Sequence, residues 1–281
     1  MAKYFWLRHV IARSHVKPLR GNVTRKIFSR SAASDFTWWP RPESNWRRQA
    51  LQACALPLSY RASGYRQCIH FRILPSMDPH WGKDLHRSEI QILRSLRTPR
   101  RIQDFLDSIP MNFRETCYSP RMVLKQKRAH CMEGAMLAAL ALRFAGYPPL
   151  VMDLKSVPHD DDHVVAVFNV RGHWGAISKT NHGVLRYREP IYKSVRELAM
   201  SYFHEYFLDD GSKTLRSYSY PVDLSRFDKR GWMTDEQDVE YVPEYVDDVR
   251  HYPILTKAQI AGLRKADSIE RKMGKIREWQ R

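Results

Sequence analysis

The chain has 281 residues, 43% of them hydrophobic, and a formal net charge of +17, enough length for one or two domains with a sizeable core. The charge is concentrated: residues 1–76 carry 14 Lys and Arg against 2 Asp and Glu, and residues 77–281 carry 33 against 28. The later part is thus only mildly basic, which argues against a nucleic-acid surface there, and the lack of a membrane-length apolar run argues against a membrane span.

Residues 1–76 show no sustained period of 2 or 3.6. Trp6, Trp38, Trp39 and Trp46 are scattered among arginines and prolines. Residues 1–34 contain no acidic residue and resemble a transit peptide. Pro42 to Asn45 and Ala55 to Tyr60, however, read like a tRNA gene translated on the wrong strand. That reading accounts for both runs and is preferred: the start is placed too far upstream, and Met77 is the next candidate. Either way, residues 1–76 are expected to lie outside the fold and 77–281 to form one domain.

From Met77 onward the elements are legible. Asp84 to Leu96 reads as a helix. Thr98-Pro99, an N-cap followed by Pro at the first helical position, opens a second over Arg100 to Ser108, with Ile102, Phe105, Leu106 and Ile109 as its buried stripe. Ser119-Pro120 repeats the signal for a short helix to about Arg128. An Ala/Leu-rich helix begins at Cys131 and stops at Gly146 and Pro148-Pro149. Three strands follow: Leu150 to Lys155, His163 to Val170, and Trp174 to Lys179. Val195 to Phe207 reads as an amphipathic helix whose aromatics, Tyr202, Phe203, Tyr206 and Phe207, belong to the core. Leu215 to Leu224 is extended or irregular. Thr256 to Trp279 is helical, and its alternating charges suit a solvated face.

Chemistry concentrates between Arg128 and Asn181. A thiol at a helix start meets unpaired backbone N–H groups and the positive end of the helix dipole, both of which favour thiolate. An imidazole at the head of a neighbouring strand can serve as its base. His163, Val165 and Val167 share one strand face, expected to pack on the Cys131 helix. His130 is an alternative partner, although adjacent residues usually diverge. Of the four cysteines, Cys54 and Cys68 lie in the doubtful segment and Cys117 reads as structural. So few cysteines give no disulfide framework and fit a reducing cytoplasm.

The order of a Cys-headed helix, strands, and a His heading the second strand resembles the transglutaminase-like superfamily of papain-type cysteine enzymes. The runs A-H-C-M-E-G, D-D-D-H and G-V-L-R-Y-R-E-P-I-Y-K resemble a poorly characterised bacterial branch of transglutaminase-like domain proteins. The resemblance covers roughly Met77 to the mid-200s. It implies an α+β fold, with the Cys-bearing helix packed on a small antiparallel sheet and extra helices at both ends. It also implies a third catalytic group, usually Asp, on the strand after the His. Trp174, Ile177 and Thr180 match that strand, but Ser178 fills the Asp slot and Lys179 replaces the usual Pro.

Hairpin geometry offers a substitute. A three-residue loop, Arg171-Gly172-His173, sets His163 opposite Asn181; a two-residue loop sets it opposite Thr180, with Ser178 on the diagonal. Asn181 is favoured as the group that orients the ring, as in Cys-His-Asn sites, with Ser178 second. The run His159 to His163, H-D-D-D-H, is a local run without further ligands spaced to close a shell, so no metal is expected. No cofactor motif appears. Glu133 reads as a helix cap. The expected function is a peptidase, amidase or acyl transferase acting on an unidentified peptide or amide, with Cys131 as nucleophile, His163 as base and acid, and Asn181 or Ser178 as orienter. The alternative is an inactive relative of the same fold used as a binding module.

Overall fold

The computed structural model describes residues 81–280, so the expectation for residues 1–76 lies outside it. Four helices come first: α1 (Arg87–Ser95), α2 (Pro99–Ser108), α3 (Pro120–Gln126) and α4 (Cys131–Phe144). Thr98 and Ser119 cap α2 and α3 by accepting the N–H groups of Arg101 and Met122, with Pro at the first helical position each time, as their sequences dictate. A seven-stranded antiparallel sheet follows: β1 (Leu150–Lys155), β2 (His163–Val170), β3 (His173–Ile177), β4 (Arg188–Tyr192), β5 (Ser217–Ser219), β6 (Val222–Asp223) and β7 (His251–Pro253). Its order is β4-β3-β2-β1-β5-β7, with β6 also on β1. Helix α5 (Val195–Met200) lies between β4 and β5, α6 (Tyr241–Asp248) precedes β7, and α7 (Lys257–Ala261) and α8 (Ser268–Gly274) end the chain.

The sheet is covered on both faces. Between Glu133 and Arg143, helix α4 is apolar all round, and it shares a core with Val151, Val164, Ala166, Phe168 and Ile177. The opposite face, with Met152, Leu154, Val165 and Val167, packs on Leu198, Ala199 and Tyr202. The expectation that Val165 and Val167 face the Cys131 helix is therefore corrected: Val164 and Ala166 do. The run V-V-A-V-F is apolar at every position, so alternation could not choose a face.

The β2–β3 hairpin turns in two residues, with Val170 paired to His173. Arg171 and Gly172 both take positive φ, +50° and +87°, the signature of a type I′ turn. That excludes the three-residue count that set Asn181 opposite His163. Two longer helices are also corrected. The one expected to Phe207 ends at Met200 and resumes as a single 3-10 turn at Phe203–Glu205. The one expected over Thr256 to Trp279 is two short helices. Tyr202, Phe203 and Tyr206 are core residues, as expected, but Phe207 is not: it is half-buried and lines the cleft.

Candidate functional site

Cys131 is the first residue of α4. The N–H groups of a first helical turn have no intrahelical acceptor, and they give the sulfur a positive surrounding. His163 is the first residue of β2 and pairs with Leu154 of β1. Its ring lines the same cleft as the Cys131 sulfur and His130, close enough for both imidazoles to act on the thiol. Burial alone would raise the thiol pKa. The two imidazoles, by hydrogen bonding and charge, outweigh it and pull Cys131 down to about 5.

Ser178 completes the row. Its Oγ lies 2.8 Å from His163 Nε2 and donates its one proton to the Leu185 carbonyl. Oγ must therefore accept from Nε2–H, which leaves Nδ1 as the ring nitrogen available to the sulfur. Gln103 of α2 locks this serine in place. Its Oε1 accepts Ser178 N–H at 2.9 Å, and its Nε2 donates to the Ser178 carbonyl at 2.8 Å. The hydrophobic stripe of α2 was readable from sequence; a glutamine reaching a backbone 75 residues away was not.

Asn181 does not hold the ring. Its amide donates to the Trp279 carbonyl at 2.9 Å and accepts Trp279 N–H at 2.8 Å. The Glu278 N–H donates to the Asn181 carbonyl, and Gly183 N–H to that of Ile276. Asn181 thus clasps the C-terminal strand of chain. Asn181→Ala should release residues 275–280, each lost hydrogen bond being worth about 1 kcal/mol, while the Cys131 thiol titration stays where it is. Hydrogen exchange on that segment, read alongside alkylation of Cys131, checks both halves.

Glu133 does far more than cap. It is fully buried, and its carboxylate accepts from Asn112 Nδ2, Thr116 Oγ1, Tyr118 N–H and His130 N–H. These bonds tie the segment before α4 to its first turn. Lys179 is buried with its Nζ donating to the carbonyls of Leu106 and Ile109 at the end of α2. Burial, with Arg186 nearby, lowers its pKa to about 8. Its Cβ is so close to α4 that a methyl group on Gly134 would meet it at 2.5 Å, which is why a glycine sits in that helix.

The pair opens into a cleft of about 870 Å³, whose walls include Asn112, Thr116, Asp160, Asp161, Asp162, Tyr206, Glu240, Arg271 and Arg277. Asp161 lies close enough to Cys131 for their charges to interact. Burial first, then the thiolate and the flanking Asp160 and Asp162, push its carboxyl up to about 7. The loop bearing these acids is pinned: Tyr206 Oη donates to the Asp161 carbonyl, and Ser156 N–H donates to Asp162. Cys117 is buried, and burial and nearby carboxylates drive its thiol well above the ordinary range, so the two thiols are chemically opposite.

Among the described residues, one set of three acids converges: Asp153, Asp162 and Asp247 bring an oxygen each within 4.8 Å of one another. Lys155 pairs with Asp247, and His251 Nε2 lies 3.0 Å from Asp153 Oδ2, so a lysine and an imidazole already face the set. Of the His159–His163 run, Asp162 alone belongs to it. No helix among the described residues is long and apolar enough to cross a membrane. Neither a protein-family model nor a curated protein matches this chain.

Proposed function

We propose that the chain is a cysteine-dependent acyl-transfer enzyme, a peptidase, amidase or transferase with a papain-like, transglutaminase-like arrangement of Cys131, His163 and Ser178. The observation that supports this most is the Cys131 sulfur placed at a helix start against an imidazole whose far nitrogen is held by Ser178. In this reading the thiolate attacks the carbonyl carbon of an amide or ester, and the S–C bond forms. The oxyanion is met by N–H groups of the first turn of α4. His163 Nδ1 gives its proton to the leaving amine or alcohol as the C–N or C–O bond breaks. Water, or an amine acceptor, then attacks the thioester and loses a proton to His163, and the thiolate leaves. Ser178 keeps the ring in the tautomer and orientation that both steps need. The binding-module alternative rests on the absent Asp, and a serine hydroxyl in that slot answers the geometric part of that objection.

The test uses p-nitrophenyl acetate as acyl donor and intact-mass detection. An acetyl adduct on Cys131, cleared faster by added hydroxylamine, is expected. No adduct on Cys131 under any pH from 5 to 9 would favour the binding module. Ser178→Ala should keep the adduct but slow turnover roughly 100-fold, the scale of loss from misplacing a catalytic group by about an ångström. Unchanged turnover in that variant would take Ser178 out of the mechanism.

A further inference from the structure

His130, the residue before Cys131, lines the same cleft as His163. Its Nε2 lies 2.8 Å from the Thr116 carbonyl oxygen and 3.4 Å from Glu133 Oε1. Both neighbours are acceptors, so Nε2 carries a hydrogen. Glu133 has no solvent exposure, and His130 is its one ion-pair partner among the described residues. A buried carboxylate that stays ionised is stabilised by a cation beside it as well as by its hydrogen bonds. The same imidazole belongs to the residue before Cys131 and lines the same cleft as its sulfur, where it acts on the thiol.

We propose that His130 is a second, fixed imidazolium partner of Cys131, held charged by Glu133 and the Thr116 carbonyl, so that the thiolate persists independently of the protonation state of His163. The proposal rests on reading Cys131 as the nucleophile. A Cys-His pair alone uses one imidazole for two tasks: stabilising the thiolate and moving protons. Here the tasks separate. His130 has a carbonyl and a buried carboxylate at Nε2, whereas His163 has the Ser178 hydroxyl at Nε2, which leaves Nδ1 to move protons to and from substrate. The ionisable groups facing this pair are Glu133 and Glu240 on the His130 side and His163, Asp161 and Tyr206 on the sulfur side. Burial opposes charge on His130, yet the Glu133 carboxylate, the sulfur and the Thr116 carbonyl outweigh it and push the ring up to about 9.

The thiolate is titrated by its ultraviolet absorbance in the native chain, His163→Asn and His130→Asn, with circular dichroism to check folding. The His163→Asn thiol should still ionise below neutral pH although acetyl turnover is lost. The His130→Asn thiol should ionise at least tenfold less readily at pH 6. A His163→Asn thiol ionising near the ordinary value of about 8.5, or a His130→Asn thiol unchanged from native, would overturn the proposal. If His130→Asn does not fold, NMR of the native chain decides: the His130 ring should remain imidazolium at pH 7.5, and a neutral ring there would overturn it. The acetyl-adduct experiment tests the enzymatic reading separately. A native chain with no adduct but a low, His130-dependent thiol titration would refute that reading alone, and an adduct with a His130-independent titration would refute this one alone.

Discussion

Replacing Glu133 with alanine should cost the protein about 3–5 kcal/mol, the usual penalty for removing one partner of a buried charged network. The substitution strands Asn112 Nδ2, Tyr118 N–H and His130 N–H in a buried place and leaves the His130 ring without its carboxylate. Domains are stable by only about 5–15 kcal/mol, so a fifth or more of the total is at stake. For roughly 200 residues this corresponds to a fall in Tm of about 10 °C. Glu133→Gln keeps the shape and some acceptor capacity and should lose less. Thermal unfolding followed by circular dichroism checks both, and an alanine variant within about 1 kcal/mol of native would show that the network is not holding the segment before α4 in place.

The second large effect is chemical. Cys131→Ala should keep the fold at a cost of roughly 1 kcal/mol, because it removes one atom at a half-buried helix start. Acyl transfer should fall by on the order of 10⁴-fold or more, the scale seen when a nucleophile is deleted from an interdependent site. Turnover of p-nitrophenyl acetate, set against the unfolding curve, separates the two effects. Activity retained in the alanine variant would put the nucleophile elsewhere, and Cys117, buried and hard to ionise, would be a poor substitute.

Local signals carried most of what the sequence could tell. Thr98-Pro99 and Ser119-Pro120 marked two helix starts because capping and proline geometry act within one turn. Cys131 and His163 were legible because a helix start and a strand start are themselves local features. What failed was non-local. Both faces of β2 are apolar, so nothing in V-V-A-V-F could say which meets α4. The choice between Asn181 and Ser178 hung on a single residue of hairpin loop, which Arg171 settled by adopting positive φ without being glycine. The partner that occupies Asn181 is Trp279, nearly a hundred residues on. The divergence usual for adjacent residues makes His130 a secondary candidate in the sequence, but as the N-cap residue it has extended backbone, φ −92° and ψ −175°, and so it escapes the helical direction that Cys131 follows. The short strands β4, β6 and β7 and helix α6 gave no periodic run long enough to read.

The central claim is that Cys131 is held as a thiolate by its setting. The measurement that meets it most directly is the rate of Cys131 alkylation by iodoacetamide against pH in the native chain, read peptide by peptide so that the other cysteines do not contribute. The account predicts a rate that is nearly flat from pH 8 down to 6 and falls only around a pKa of about 5, with Cys117 unreactive throughout. A Cys131 rate that climbs about tenfold per pH unit up to an inflection near 8.5, as an ordinary thiol does, would contradict it.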